Sequence, residues 1–454
     1  MTLTLNRILW LTLSAAAYLT LAYNVPRQQF GSLIGLLTGL FLGYGWELHS
    51  LPHPVLFGWK EGIKEPCSRA IKPDRLLFGA AVLFRLLLLF ATPQLSDDVY
   101  RFIWDGRLLV HGFNPYLYLP SDIIHTDTAV IANLDEILFQ QLNSPDYFTV
   151  YPPLNQALFG LAAWLSNGSF LWNVVWLRVP IIVSEIGTLW VMIKLLRRLN
   201  LNPNLALLYG LNPLIILELT GNLHFEAIMI FFALLAVWWL MKGRTVLSAG
   251  VIALAIGTKL LPLILLPIIV RRLGWMKGLA YSALAGLITI AMFAPFASVE
   301  LIQNVFSSIN LYFQKFEFNA SVYYVLREIG YWIEGYNTIE RVGVWLSIAT
   351  TGSILWIAFR WRNVSTAAQV LASLTIYFAF ATTVHPWYIA TPVAASVFTR
   401  FRYPILWSAL IPLSYFTYRT LPFQENLWLT GIEYTLVGLT AIAEIWAVKY
   451  RKPL

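Results

Sequence analysis

Residues 74–106 read DRLLFGAAVLFRLLLLFATPQLSDDVYRFIWDG. The first part, roughly Asp74 to Thr92, is strongly apolar and reads as a membrane segment. The second part opens on two adjacent acids in the run Ser96-Asp97-Asp98-Val99-Tyr100-Arg101-Phe102-Ile103-Trp104-Asp105-Gly106. Acids at the lip of a hydrocarbon slab are costly to desolvate, and ionisable groups at membrane depth usually mark a working site. The junction therefore predicts the end of a span with a functional site just outside it.

The same pattern continues along the chain. Of 454 residues, 58% are hydrophobic and only 12% charged, and the mean hydropathy is +0.66. Repeated apolar runs of about 20 residues are the signature of an all-α, polytopic membrane protein. Apolar segments fall at roughly 8–23, 28–45, 74–92, 170–193, 203–219, 222–241, 245–258, 260–270, 275–297, 341–359, 366–384, 386–399, 403–419 and 427–448. That gives about 13–14 membrane segments in a single integral membrane domain. The net charge of +8 does not argue for nucleic acid, because the basic residues cluster between apolar runs, as loop charges beside a membrane do. The lone Cys67 excludes an intrachain disulfide and a multi-cysteine metal site, and the six histidines show no metal-ligand spacing.

The basic clusters are Lys60/Lys64/Arg69/Lys72, Lys194/Arg197/Arg198, Lys242/Arg244, Arg271/Arg272/Lys277, Arg360/Arg362, Arg400/Arg402 and Lys449/Arg451/Lys452. Placed in the cytoplasm, they make the segments alternate with both termini inside; Arg27 and Arg419 are the main exceptions. Two N-terminal helices and a basic cytoplasmic loop then occupy residues 1–72. Two long loops lie outside, Pro93–Tyr151 and Ser298–Glu340, and the first is rich in acids. Both carry many aromatics and read as folded caps. Pro152 to Ser166 is expected as a helix against the outer face. Segments 245–258 and 260–270 are short and read as broken helices meeting near Lys259 and Pro262, which is permitted where backbone is buried or lines a cavity. Ile8–Tyr23 reads as a retained helix rather than a signal peptide, given its thin basic start at Asn6 and Arg7.

A helix over 97–108 would put Asp97, Asp98, Arg101 and Asp105 on one side. A carboxylate there accepts a proton from an incoming hydroxyl, and an arginine orients it or holds an anion. The plainer reading makes Ser96 an N-cap, with both acids complementing the helix dipole. Topology brings further polar groups to the same face. Glu218, His224 and Glu226 bracket the turn Thr220-Gly221-Asn222 and could simply hydrogen-bond it. Lys259 lies between apolar runs, where a lysine snorkels or meets an anion; beside freed backbone N–H groups phosphate is a natural partner. His385-Pro386-Trp387-Tyr388 fits an interfacial aromatic belt as well as a site. Arg419 is either a loop arginine or part of a cationic pocket. There is no phosphate-binding Gly-rich loop of the nucleotide type.

These residues resemble the GT-C class of membrane glycosyltransferases, in particular the polyprenol-phosphate-mannose-dependent mannosyltransferases. The resemblance rests on residues 96–106, Gly112-Phe113-Asn114-Pro115-Tyr116, Tyr151-Pro152-Pro153, Asn212-Pro213, Asn222-Leu223-His224-Phe225-Glu226, Lys259-Leu260-Leu261-Pro262, Phe318-Asn319-Ala320-Ser321-Val322-Tyr323-Tyr324 and His385-Pro386-Trp387-Tyr388. It implies a GT-C-like helical bundle with its active site at the outer end. It also implies inverting transfer of a hexose, mannose first, from a polyprenyl-phosphate carrier to a hydroxyl of a lipid or glycan acceptor. Asp98 becomes the expected base, with Asp97 as second candidate. Lys259, Arg101, His385 and Arg419 are expected at the donor phosphate. Trp104, Asp105, His224, Glu226, Asn319, Trp387 and Tyr388 are expected at the sugar or acceptor. No cofactor and no metal site is required, although a weakly held divalent cation is compatible with the carboxylate pair. The implied setting is the bacterial inner membrane, with membrane lipid and no nucleic acid as partners. Two other readings share these features: a secondary transporter or lipid-linked-sugar flippase, and a GT-C enzyme moving arabinofuranose or glucose.

Overall fold

The computed structural model describes residues 2–51, 55 and 71–450, apart from the side chains of residues 2–4, 309–315 and 450. Lys60, Lys64, Cys67 and Arg69 of the expected basic loop, and Arg451 and Lys452 of the last cluster, lie outside the described residues. Among the described residues the chain is helical throughout and has no strand; a lone bridge joins Phe318 and Thr383. Five helices are long and apolar enough to cross a membrane: Leu5–Asn24, Phe170–Arg198, Trp275–Phe296, Ile339–Arg360 and Leu427–Lys449. The pair Pro203–Gly210 and Pro213–Gly221, bent by 54°, makes a sixth when taken as one span. Glu226–Met241, Thr245–Thr258 and Thr366–Phe380 are shorter apolar helices. The chain is thus a polytopic helical membrane protein.

Several apolar segments expected as single spans are interrupted, for identifiable reasons. Pro203 and Pro213 lack the N–H a continuous helix needs, and the Asn202 and Asn212 side chains cap the restarted turns. Asn212 Oδ1 accepts from the amides of Leu214 and Ile215 at 3.0 and 3.3 Å. The turn that follows, Ile216–Gly221, is π-helical, a form that concentrates at functional sites. Segments 386–399 and 403–419 divide into short pieces, 3-10 over Pro386–Ile389 and Ile411–Arg419 and α over Ala390–Ser396 and Tyr403–Leu410. The segment from Asp74 is helical only over Arg75–Leu87.

The described residues fall into two compact units. One comprises Met1–Leu88, Glu185–Leu219 and Glu317–Leu454. Its centre is a fully buried ion pair: Arg85 Nε and Nη2 donate to Glu185 Oε2 at 2.9 and 2.7 Å. Arg85 Nη1 also donates to the carbonyls of Ala81 and Gly210, and the Tyr209 hydroxyl donates to Glu185. The two N-terminal helices pack on this core. Tyr18 lies against Phe84, Tyr44 donates to the Leu208 carbonyl, and Arg7 pairs with Asp74 at 3.0 Å. Part of the second loop is tied down in the same unit by Asn319. Its amide donates to Glu425, its side chain to Glu433, and its carbonyl accepts from the Tyr434 hydroxyl.

The other unit comprises Leu89–Ser184 and Thr220–Phe316. The first long loop is folded here, with helices Asp98–Val110, Pro120–Ile123, Asp127–Ile131 and Glu136–Gln140. Helix Pro153–Ser166 packs along Asp98–Val110. The approach is tight: a Cβ on Gly106 would stand 2.4 Å from the Phe159 carbonyl, and one on Gly160 would stand 2.7 Å from Leu109.

Removing one partner of a buried ion pair leaves an uncompensated charge and costs about 3–5 kcal/mol. Arg85→Met should therefore lower the thermal midpoint of the detergent-solubilised protein markedly. The double variant Arg85→Met/Glu185→Leu should recover much of that loss; a double variant no better than the single would contradict the pair's central place.

Candidate active site

The acid motif is held from both sides by backbone capture. Past Leu88 the chain leaves helical geometry, and its freed carbonyls need donors. Arg178, fully buried in helix Phe170–Arg198, supplies them: it donates to the carbonyls of Leu89, Ala91, Thr220 and Gly221 at 2.5–2.9 Å. Asn222 completes the junction, its Oδ1 accepting from the amides of Gln94 and Leu95 at 3.1 and 3.0 Å. The exit of the first core helix and the turn at 220–222 are thereby fixed to each other. Next to that turn Leu223, buried, sits at φ 63°, a left-handed conformation a branched side chain adopts at a cost. It presents His224 and Glu226 at the start of helix Glu226–Met241.

Ser96 takes the capping role, its Oγ accepting from the Asp98 amide at 3.3 Å. Asp97 stands at the cap position without a capping side-chain bond, and Asp98 opens the helix. The two carboxylates are therefore not used up as caps. Asn143 Nδ2 donates to Asp98 Oδ1 at 2.8 Å. The carboxyl is half-buried. Desolvation raises its pKa above the ordinary value; the Asn143 bond and the Lys259 ammonium oppose this, while Glu226 and Asp97 add to it.

Lys259 follows the end of helix Thr245–Thr258, before the 3-10 turn Leu261–Ile264, so the expected break is present. Its ammonium pairs with Glu226. Asn155, in the first turn of Pro153–Ser166, donates to the Thr258 carbonyl at 2.9 Å and holds that break against the first loop. Asp98, Asp97, Glu226 and Lys259 thus form one electrostatic group within one unit.

Arg101 and Asp105 are placed differently from expectation. Arg101 is buried, donates through Nε to Asp105 Oδ1 at 2.8 Å, and through Nη1 to the carbonyls of Ser144 and Tyr147. Asp105 Oδ2 accepts from Gln156 Nε2 at 2.9 Å. The pair fixes the segment that carries Asn143. Trp104 is fully buried with its ring tilted on Phe139. His224 lies in the same unit and is buried.

His385, Asn319, Trp387, Tyr388 and Arg419 belong to the other unit. There the His385 ring is stacked between Trp387, 4.5 Å away and nearly parallel, and Phe318 at 4.9 Å. Tyr388 meets His385 edge-on and Arg419 lies over Phe416. Three residues with evident positioning roles were not foreseen. Arg178 carried a signal, a lone charge inside the apolar run 170–193; Asn222 stood in a recognised turn; Asn143 had no sequence mark.

Arg178→Met would leave four buried carbonyls without donors, at about 1–3 kcal/mol for each one left unsatisfied. A thermal midpoint several degrees lower in detergent is expected, with Arg178→Lys recovering part of it; an unchanged midpoint in Arg178→Met would show the clamp to be idle.

The family model described as "Alpha-(1->6)-mannopyranosyltransferase, N-terminal domain" matches residues 55–275, a stretch that contains the acid motif, the 220–226 turn and Lys259. The chain is 27% identical to alpha-(1->6)-mannopyranosyltransferase A of Corynebacterium glutamicum over 184 residues, 40% of this chain and 36% of the relative. It is 24% identical to alpha-(1->6)-mannopyranosyltransferase B of the same organism over 223 residues, 49% of this chain and 35% of the relative. With alpha-(1->6)-mannopyranosyltransferase A of Mycobacterium tuberculosis the identity is 25% over 343 residues, 70% of this chain and 64% of the relative. The matched stretch thus spans about a third of the length of the first two relatives and just under two thirds of the third. Over these stretches the chain is similar to alpha-(1->6)-mannopyranosyltransferases.

Proposed function

We propose that the chain transfers mannose from a polyprenyl-phosphate carrier to a hydroxyl of a lipid or glycan acceptor, at the outer face of a bacterial inner membrane. The observation that carries this reading is the grouping of Asp98 and Asp97 with Lys259 and Glu226 at a helix break. One arm of the group is a half-buried carboxylate with raised proton affinity, and the other is an ammonium with 37% of its side chain exposed. The first suits a general base, because raised affinity brings it towards working pH. The second suits a phosphate. The similarity to alpha-(1->6)-mannopyranosyltransferases supports mannose and an α-(1→6) linkage.

In this scheme the acceptor O–H gives its proton to Asp98 as its oxygen bonds to the anomeric carbon. The bond from that carbon to the phosphate oxygen breaks on the opposite side, and its electron pair leaves with the carrier phosphate. The displacement inverts the anomeric centre, so an α product requires a β-linked donor. Lys259 neutralises charge growing on the departing phosphate, commonly the largest contribution at such centres. Arg101 and Asp105 act as positioning residues through the Ser144–Tyr147 backbone, and Asn143 orients Asp98.

A cavity of 430 Å³ suits the first isoprene units of the carrier; Leu109, Phe113, Leu154, Ala157, Met292 and Phe296 line it. Its wall adjoins the Lys259 helix end, since Met292 and Leu154 also pack against Gly257. No step calls on a metal or cofactor.

Membranes carrying Asp98→Asn should transfer labelled mannose from a polyprenyl-phosphate donor about 10²–10⁴-fold more slowly. Normal transfer by both Asp98→Asn and Asp97→Asn would refute the scheme. The pH profile gives an independent check. Asn143 donates to the ionised carboxylate and so favours it; Asn143→Ala removes that preference and raises Asp98's proton affinity further. Because the base works deprotonated, the acid limb of kcat/KM should move to higher pH in Asn143→Ala; a limb that stays put or moves down argues against Asp98 as the titrating group.

A further inference from the structure

Lys259 is paired, and its partner is an acid, Glu226. Resting on the function proposed above, we propose that Glu226 holds the place of the carrier phosphate on Lys259, yields it to the donor, and reclaims it to expel the spent carrier.

Three observations carry this. First, the two partners are unequally accessible: 37% of the Lys259 side chain is exposed but only 4% of Glu226. A second anion can therefore approach the ammonium from the open side before the carboxylate gives way. Second, Glu226 has other support. It is the first residue of helix Glu226–Met241, where the helix dipole favours a negative side chain. Third, the surroundings are acidic: Asp98 feels the charges of Lys259, Glu226 and Asp97 together. Such a group discriminates by charge number. A glycosyl-phosphate carrier is a phosphodiester with one negative charge. Once the sugar has left, the carrier is a monoester with about −1.5 to −2 at neutral pH. The transfer itself thus raises the repulsion on the bound phosphate, and Glu226 is at hand to pair with Lys259 again. The exchange is one of ion pairs only, and makes or breaks no covalent bond.

A positioning role for Glu226 would predict the opposite sign, because steering Lys259 towards phosphate and competing with phosphate for it affect affinity in opposite directions. The test is binding of undecaprenyl monophosphate to the full-length detergent-solubilised protein, alongside its inhibition of mannose transfer. Glu226→Gln keeps the side-chain shape and removes the competing charge; it should tighten monophosphate binding about three- to tenfold and sharpen product inhibition. Glu226→Asp, with a shorter reach, should fall between wild type and Glu226→Gln. Lys259→Met should weaken binding, and Glu226→Gln/Lys259→Met should bind no better than Lys259→Met. Unchanged or weaker binding in Glu226→Gln, with Lys259→Met still impaired, overturns the place-holder while leaving Lys259 as the phosphate site. Unchanged binding in Lys259→Met overturns both.

Discussion

Backbone that leaves helical geometry at membrane depth must find its hydrogen-bond partners within the protein, and the arrangement of the candidate site follows from how this chain meets that demand. Its helices break after Leu88, across 203–221 and at Lys259. At the first of these, and at the turn 220–221, the carbonyls converge on Arg178; at Lys259 the Thr258 carbonyl is taken by Asn155. An arginine suits the first task because its planar fork reaches several acceptors without being deprotonated. The same devices that satisfy the backbone bring the start of Asp98–Val110, the start of Glu226–Met241 and the end of Thr245–Thr258 into one electrostatic group.

That group is built for opposed tasks. A base has to bind a proton more readily than a surface carboxylate does, and Asp98 reaches this state by desolvation and by neighbouring acids. A phosphate site has to present a cation, and Lys259 does so at an open helix end. In the proposed mechanism each tunes the other: the ammonium opposes the rise in Asp98's proton affinity, and the acids compete with a doubly charged phosphate for Lys259. Asn143, fixed through the carbonyls that Arg101 binds, keeps the base pointing one way.

Much of this was legible in the residues. The apolar segments, the helix break at Lys259 and the folded character of the first loop all follow from hydropathy, charge bias and proline placement. Helix Thr245–Thr258 has the bounds its apolar run gave it. The apolar segments 203–219 and 403–419 are divided with Pro213 and Pro412 inside them, and 386–399 is divided into a 3-10 turn and a short helix. Side-chain partners were the less legible part. Arg101 looked like an anion binder because its spacing from the acids was visible, whereas the carbonyls it binds lie more than forty residues away. Trp104 looked available for stacking because nothing in the sequence reveals that Phe139 covers it. His385, read as a phosphate ligand, is enclosed by Trp387 and Phe318, and Phe318 comes from a loop nearly seventy residues earlier.

The most direct measurement is an experimental structure of the full-length protein in lipid with a polyprenyl monophosphate bound. The account predicts the phosphate within ion-pair distance of the Lys259 ammonium, the Glu226 carboxylate turned away from that ammonium, and Asp98 close enough for one sugar to lie between it and the phosphorus. A phosphate seated away from the end of helix Thr245–Thr258, or one bound while Glu226 still grips Lys259, would contradict it.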